Sequence, residues 1–327
     1  MPLKVAIHRI AVLTTALMAL PASAIMGGRG VDPDIPQSPW AGVVVVLRDT
    51  PGTFSGAMLD HRHVLTAAHV VNRYREEPER LSIRIHLGHE QSVDLPVEAI
   101  FVHPDFETGR TPANSRHGWN DDLAVIRLAR PAPANVPTYP LLPVVPARHD
   151  IFTLVGYGAS GDPASGVIHK KADPGVRRTG RNRVEDFLLD DEGSGQQEVL
   201  IFDFDGPSAA SNVFKPDVPE NLSLGPEDEA QLATGDSGCP LFVEYEGSLH
   251  IAAVGTFNGA TPLSCDQNTK LVPPPCSATR FGAIGGATLV APALPWIKAI
   301  LGGRLPAEMP ARGQGREAGP NPLLPTP

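Results

Sequence analysis

The sequence predicts an all-β chain in two halves, and three observations carry that prediction. Its 327 residues include 32 Gly and 35 Pro, so turns interrupt it too often for long helices. Short alternating runs at 41–47 and 81–87 have strand length and strand composition. The length accommodates two compact units of about 100 to 150 residues each, and no internal repeat divides them further.

The first element in the chain is a segment of its own. Lys4 and Arg9 give residues 1–24 a basic start, 10–20 are apolar, and Ala22-Ser-Ala24 offers small residues for cleavage. This is the pattern of a signal peptide, so the chain is expected to be exported, either secreted or periplasmic. The segment holds no lipobox cysteine, and no later apolar run reaches about 18 residues, so no membrane anchor is expected. Without Lys4 and Arg9 the formal charge falls from −9 to −11, which argues against nucleic-acid binding.

Residues 25–135 are expected to form the first half and 136–303 the second. Pro131, Pro133, Pro137, Pro140, Pro143 and Pro146 mark the connection. Residues 304–327, rich in Pro and Gly with few apolar side chains, read as a disordered tail.

Three short motifs carry chemistry: Val64-Leu-Thr-Ala-Ala-His69, Asp122-Leu-Ala-Val-Ile-Arg-Leu128 and Thr234-Gly-Asp-Ser-Gly-Cys239. A serine hydroxyl becomes a nucleophile when an imidazole takes its proton, and the imidazole needs a carboxylate on its other nitrogen. The chain order His, Asp, Ser separates this set from the subtilisins and from the α/β-hydrolases, whose Gly-x-Ser-x-Gly elbow Cys239 also breaks. With these motifs the chain resembles the chymotrypsin/trypsin serine protease family, most closely its bacterial secreted branch. Phe54-Ser-Gly-Ala-Met-Leu59, Val102-His-Pro-Asp-Phe106, Val155-Gly-Tyr-Gly158 and Pro295-Trp-Ile-Lys298, the last like the start of the family's C-terminal helix, extend the likeness over about 25–303. Residues 159–228 match loosely.

The resemblance implies two antiparallel β-barrels, a short C-terminal helix and a cleft between the barrels. His69 would be the base, Asp122 its orienter and Ser237 the nucleophile, with the N–H groups of Gly235 and Ser237 as the oxyanion hole. Ile25-Met-Gly-Gly28 is similar to the amino terminus that trypsin-like zymogens expose by cleavage, so a freed Ile25 amine is expected to pair with Asp236. Gln231, Thr256, Phe257 and Asn258 fall at positions of the primary specificity pocket. The Thr256 hydroxyl would bond Asp122, and Asn258 would narrow the pocket toward small or medium side chains. A slip of one or two positions would bring Asp228 or Glu229 there instead.

Ser55 and Val70 stand where the family has a disulfide beside the histidine, and Ala233 stands at another half-cystine. Cys265 and Cys276 remain as the expected pair, a closure worth about 3 kcal/mol in the chain-entropy model. Cys239 is left as a small buried thiol, or as a source of strain if its position requires a positive φ.

No metal is expected. His61 and His63 read as surface polar residues. The acidic stretch 185–205 lacks a complete calcium loop and reads as solvated, and the family's calcium loop, near 88–98, is shortened. No cofactor is implied. The expected partners are protein or peptide substrates and protein inhibitors of proteases, and the expected state is a monomer. The alternative is a catalytically impaired binding protein on the same fold, which an organophosphonate would fail to label at Ser237. An esterase of unrelated fold would turn over small esters but no peptide.

Overall fold

The computed structural model describes residues 25–27, 30–32, 34–106, 120–214, 223–225, 228–266, 270–271 and 273–303. The expected signal segment 1–24 and tail 304–327 lie outside them. After a two-residue strand β1 (Gly30–Val31), the chain enters β2 (Val43–Arg48), where Val43 to Val46 are all fully buried. Such a run of β-branched side chains suits a strand covered on both faces.

Strands β3 (Thr53–Met58), β4 (His63–Thr66), β5 (Leu81–Gly88), β6 (Gln91–Val102) and β7 (Ala124–Leu128) follow, with a one-turn helix α1 (Ala68–Val71) after β4. In β5 burial alternates along most of the strand, as the two-residue period of a barrel wall requires. The six strands close a barrel in the order β2-β3-β4-β7-β6-β5, so no edge is left unpaired.

The second half contributes β8 (Ile151–Gly156), a small hairpin of β9 (Ser160–Asp162) and β10 (Val167–Lys170), β11 (Arg178–Arg183), β12 (Asp186–Leu189), β13 (Gln197–Asp203), β14 (Pro240–Tyr245), β15 (Ser248–Gly259) and β16 (Ile284–Leu289). Apart from the small hairpin they form an eight-stranded sheet, β1-β11-β8-β14-β15-β16-β13-β12. This mostly antiparallel architecture agrees with the all-β expectation, with one closed barrel and a second sheet. Residues of the amino-terminal segment pair with that second sheet although they precede the barrel: β1 lies on β11, and Met26 bridges Gln231.

The chain ends in helix α2 (Val290–Leu301), which starts five residues before the Pro295 that sequence suggested as its beginning. Pro292 falls in its first turn, where a missing N–H costs little, and the buried face of Val290, Ala293, Trp296, Ile297 and Ile300 carries the helix through Pro295.

The acidic stretch 185–205 is not the solvated loop that its charge suggested. It forms the β12–β13 hairpin, pairs with β16, and buries Glu185, Asp186, Asp190, Glu198, Asp203 and Asp205.

Candidate active site

Strand register brings the first two candidate residues together. In the antiparallel β4–β7 pair Thr66 lies opposite Ala124. His69 follows Thr66 by three residues and Asp122 precedes Ala124 by two, so both leave the same end of the pair. The Asp122 carboxylate then takes two hydrogen bonds from one residue: His69 Nδ1 lies 2.7 Å from Oδ2, and the His69 backbone N–H donates to Oδ1 at 2.8 Å. Asp122 is 1 % exposed and the His69 side chain 35 %, so the carboxylate is sealed in while the ring reaches solvent. One Nδ1 contact fixes the ring's orientation and leaves Nε2 as the nitrogen available to a substrate or nucleophile.

Ser237 lies on the loop before β14, and that loop is seated on the strands that lead to His69. Ser55, fully buried on β3, donates its N–H to the Ser237 carbonyl at 3.0 Å and its hydroxyl to the Gly235 carbonyl at 3.1 Å. The same hydroxyl accepts from Tyr157 N–H at 3.1 Å, and the Ser55 carbonyl accepts from Thr66 Oγ1 at 2.8 Å. At Gly238 (φ +84°) a side-chain carbon would come within 2.2 Å of Thr66 Oγ1 and 2.3 Å of the Ser55 carbonyl, which is why the chain there must be glycine. Asp122 and His69 are thus joined directly, and Ser237 is held to their strands through the backbone of its loop.

Gly235 has φ +100°, and a side-chain carbon there would meet Ala172 at 2.6 Å. Among the described residues neither the Gly235 nor the Ser237 N–H donates a hydrogen bond, as donors kept for an oxyanion require. Positive φ in this loop belongs to Gly235 and Gly238 and not to Cys239, so the strain weighed for the cysteine does not arise. Cys239 is a free thiol with no exposed surface, and burial together with the Asp236 carboxylate pushes its pKa well up.

A pocket of about 210 Å³ opens beside Ser237, lined by Phe54, residues 232–235 and residues 255–258. Thr256, Phe257 and Asn258 are in its wall as expected, and Asn258 Nδ2 donates across to the Leu232 carbonyl at 2.6 Å. Two expectations are corrected. Gln231 is fully buried and does not line the pocket, because its amide oxygen turns back to accept from Leu232 N–H at 2.8 Å. The Thr256 hydroxyl reaches the Val254 carbonyl at 3.2 Å and Thr288 Oγ1 at 2.9 Å rather than Asp122, a consequence of the bulge in β15 between Gly255 and Phe257.

Asp236 is fully buried, its two oxygens accepting from Gly158 N–H at 2.8 Å and Ala233 N–H at 3.0 Å. Burial raises its pKa to about 7, against the pull of these bonds and of Arg178. Ile25 is fully buried in the same core as Cys239 and has φ +55°, a region that β-branched residues avoid. The expected Cys265–Cys276 disulfide is formed. His63 bonds Asp60 at 2.8 Å and shares no metal-like cluster with His61 among the described residues.

Residues 28–186 match the family described as Trypsin. That stretch is a trypsin-family domain segment. It carries His69 and Asp122 and stops short of the Ser237 loop. This chain is 36 % identical over 80 residues to complement C1s subcomponent of Sus scrofa, covering 23 % of this chain and 11 % of that protein. It is 33 % identical over 101 residues to vitamin K-dependent protein C of Oryctolagus cuniculus, covering 29 % and 19 %. The chain therefore spans less than a fifth of either relative's length.

Sequence reasoning passed over Ser55 as a working residue. Its signal lies in Phe54-Ser-Gly-Ala-Met, where a hydroxyl stands at the position of the family's half-cystine.

Proposed function

We propose that this chain is an exported serine endopeptidase acting through Ser237, His69 and Asp122. The observation that carries this reading is the doubly bonded, sealed Asp122 behind a solvent-reaching His69, with the Ser237 loop docked on the same strands. In this reading Ser237 Oγ attacks the scissile carbonyl while His69 Nε2 takes its proton and passes it to the leaving amine. Asp122 holds the imidazole, and the Gly235 and Ser237 N–H groups stabilise the oxyanion, each such donor being worth about 3 to 4 kcal/mol. Water then clears the acyl-enzyme. Side chains and water suffice for every step.

Activation belongs to the same proposal. Removal of residues 1–24 would free the Ile25 amine to pair with Asp236. A buried carboxylate with a raised pKa is the group that gains most from a cation, and leaving it unpaired costs several kcal/mol. The strained φ of Ile25 also vanishes once no carbonyl precedes it. Substrates would be polypeptides with small or medium side chains in the Asn258-bridged pocket.

The test is cleavage profiling on a peptide library, paired with organophosphonate labelling. Wild type should cleave and be labelled at Ser237, and Ser237→Ala should retain the fold while losing both. Peptide turnover by Ser237→Ala near the wild-type level would overturn the mechanism. A folded wild type that is neither labelled nor active would favour an impaired binding protein.

A further inference from the structure

Arg178, at the start of β11, is a cation in a place where charge is costly: the residue is 2 % exposed. Its Nη1 donates to the Gly158 carbonyl at 2.9 Å, while its Nε is buried and donates no hydrogen bond among the described residues. Gly158 in turn donates its N–H to Asp236 Oδ1 at 2.8 Å, so a single residue receives a bond from the guanidinium and gives one to the carboxylate. The packing around that link is close. A side-chain carbon at Gly158 would lie 2.2 Å from the Asp236 carboxyl carbon, and one at Gly156, the partner of Arg178 in the β8–β11 register, would lie 2.4 Å from Oδ1.

Charge makes the two groups partners. The Gly158 and Ala233 N–H groups that bond Asp236 are neutral donors, and a carboxylate with no exposed surface needs a positive charge nearby to stay ionised. Among the described residues, Arg178 is the cation that pulls on Asp236, and Asp236 comes ahead of Asp173 among the carboxylates that hold the proton on Arg178. The neighbouring Arg177 is committed elsewhere, to Asp32 at 2.7 Å. While residue 24 precedes Ile25, the Ile25 nitrogen is an amide and carries no charge. Asp236 directly precedes Ser237, so whatever holds this carboxylate also sets the direction of the Ser237 N–H.

We propose that Arg178 is the standing counter-charge of Asp236, a positioning residue that holds residues 235–237 in their working arrangement while Ile25 is still in peptide linkage. The proposal rests on the catalytic reading above and changes what activation means. Freeing the Ile25 amine adds a second cation to an arrangement that Arg178 already maintains, so the uncleaved chain is partly active instead of silent.

The test compares residues 25–327 with a free Ile25 amine against the same chain carrying Gly-Ser before Ile25, and reads the rate at which an organophosphonate labels Ser237. The extended wild type should be labelled at a measurable rate. Arg178→Met should slow the extended form about tenfold and the free-amine form no more than about threefold, because the amine covers for the lost charge. Arg178→Lys, which keeps the charge, should recover most of the rate, and Arg178→Gln replaces Arg178→Met should the latter fold poorly. Equal slowing of both forms would mark a merely structural role and overturn the proposal, as would an extended wild type that is never labelled while the free-amine form is. A second arm does not depend on catalysis: in Ser237→Ala, the drop in unfolding temperature caused by Arg178→Met should shrink by about half or more when Asp236→Asn is also present. An undiminished drop would overturn the proposal even if neither wild-type form were labelled, an outcome that would itself refute the catalytic reading.

Discussion

Ser55 shows how much of this site rests on one hydroxyl. The peptide between Gly235 and Asp236 lies between the two candidate oxyanion donors, and it is pinned at both ends: its carbonyl by Ser55 Oγ, its N–H by the Ala233 carbonyl at 2.9 Å. Ser55→Ala would leave the Gly235 carbonyl and the Tyr157 N–H without this buried partner, at a cost of about 1 to 3 kcal/mol. The expected outcome is a lower unfolding temperature together with a kcat reduced about tenfold at nearly constant KM, a smaller loss than removing an oxyanion donor outright. Steady-state kinetics and thermal unfolding of the same preparation check both. Cys239 makes a second residue-scale test. With no exposed surface and a pKa pushed well up, it should resist alkylation in the folded protein and react at once in denaturant, while Cys265 and Cys276 stay joined. Rapid modification under native conditions would contradict this packing.

At the scale of elements, helix α2 carries a removable defect. Pro295 is exposed and stands at the sixth helical position, where an ordinary residue would donate its N–H to the Ala291 carbonyl. Pro295→Ala should therefore stabilise the protein by about 1 to 2 kcal/mol, the restored bond being offset in part by a freer unfolded chain. A rise of a few degrees in unfolding temperature is the measurement. The elements also show what could be read in advance. His69, Asp122 and Ser237 stand in short motifs whose flanks are themselves strand and turn signals, so candidate residues and fold class were legible. Their meeting was not, because it depends on the Thr66–Ala124 register across 53 residues of separation between His69 and Asp122. The Thr256 hydroxyl was misdirected for a related reason: a bulge in β15 re-aims a side chain and leaves no mark in composition. Acidic residues hid the β12–β13 hairpin, since Asp186-Phe-Leu-Leu189 and Gln197-Glu-Val-Leu-Ile-Phe-Asp203 read as charged loop until β16 is placed beside them.

Across the whole molecule the two halves are strapped to each other at both ends of the described chain. The amino-terminal segment pairs with the second sheet, held by the buried Arg177–Asp32 ion pair at 2.7 Å, while α2 packs on the core that includes the barrel. The described residues also bury a group of carboxyls, and they set the pH response. Burial and then the neighbouring Asp205 raise Glu185 to about 7 and Asp203 well above its ordinary value, and burial chiefly raises Glu229 to about 8. In the unfolded chain the same groups titrate near the ordinary carboxylate range of about 4. Between about pH 4 and 8 the folded state therefore binds more protons than the unfolded state, and stability must fall as pH rises through that window. The exposed carboxylates paired with arginine, such as Asp49 and Asp94, are shifted the opposite way and oppose the trend only below about pH 4. Unfolding temperature measured on Ser237→Ala should accordingly be highest in mild acid, near pH 5, and decline toward pH 8. Glu229→Gln keeps an oxygen for the Leu224 N–H, which Glu229 accepts at 2.6 Å, and removes one of the titrating groups, so its decline should be shallower. A parent curve that rises steadily from pH 5 to 8 would show that these carboxyls are ionised and compensated in the folded protein.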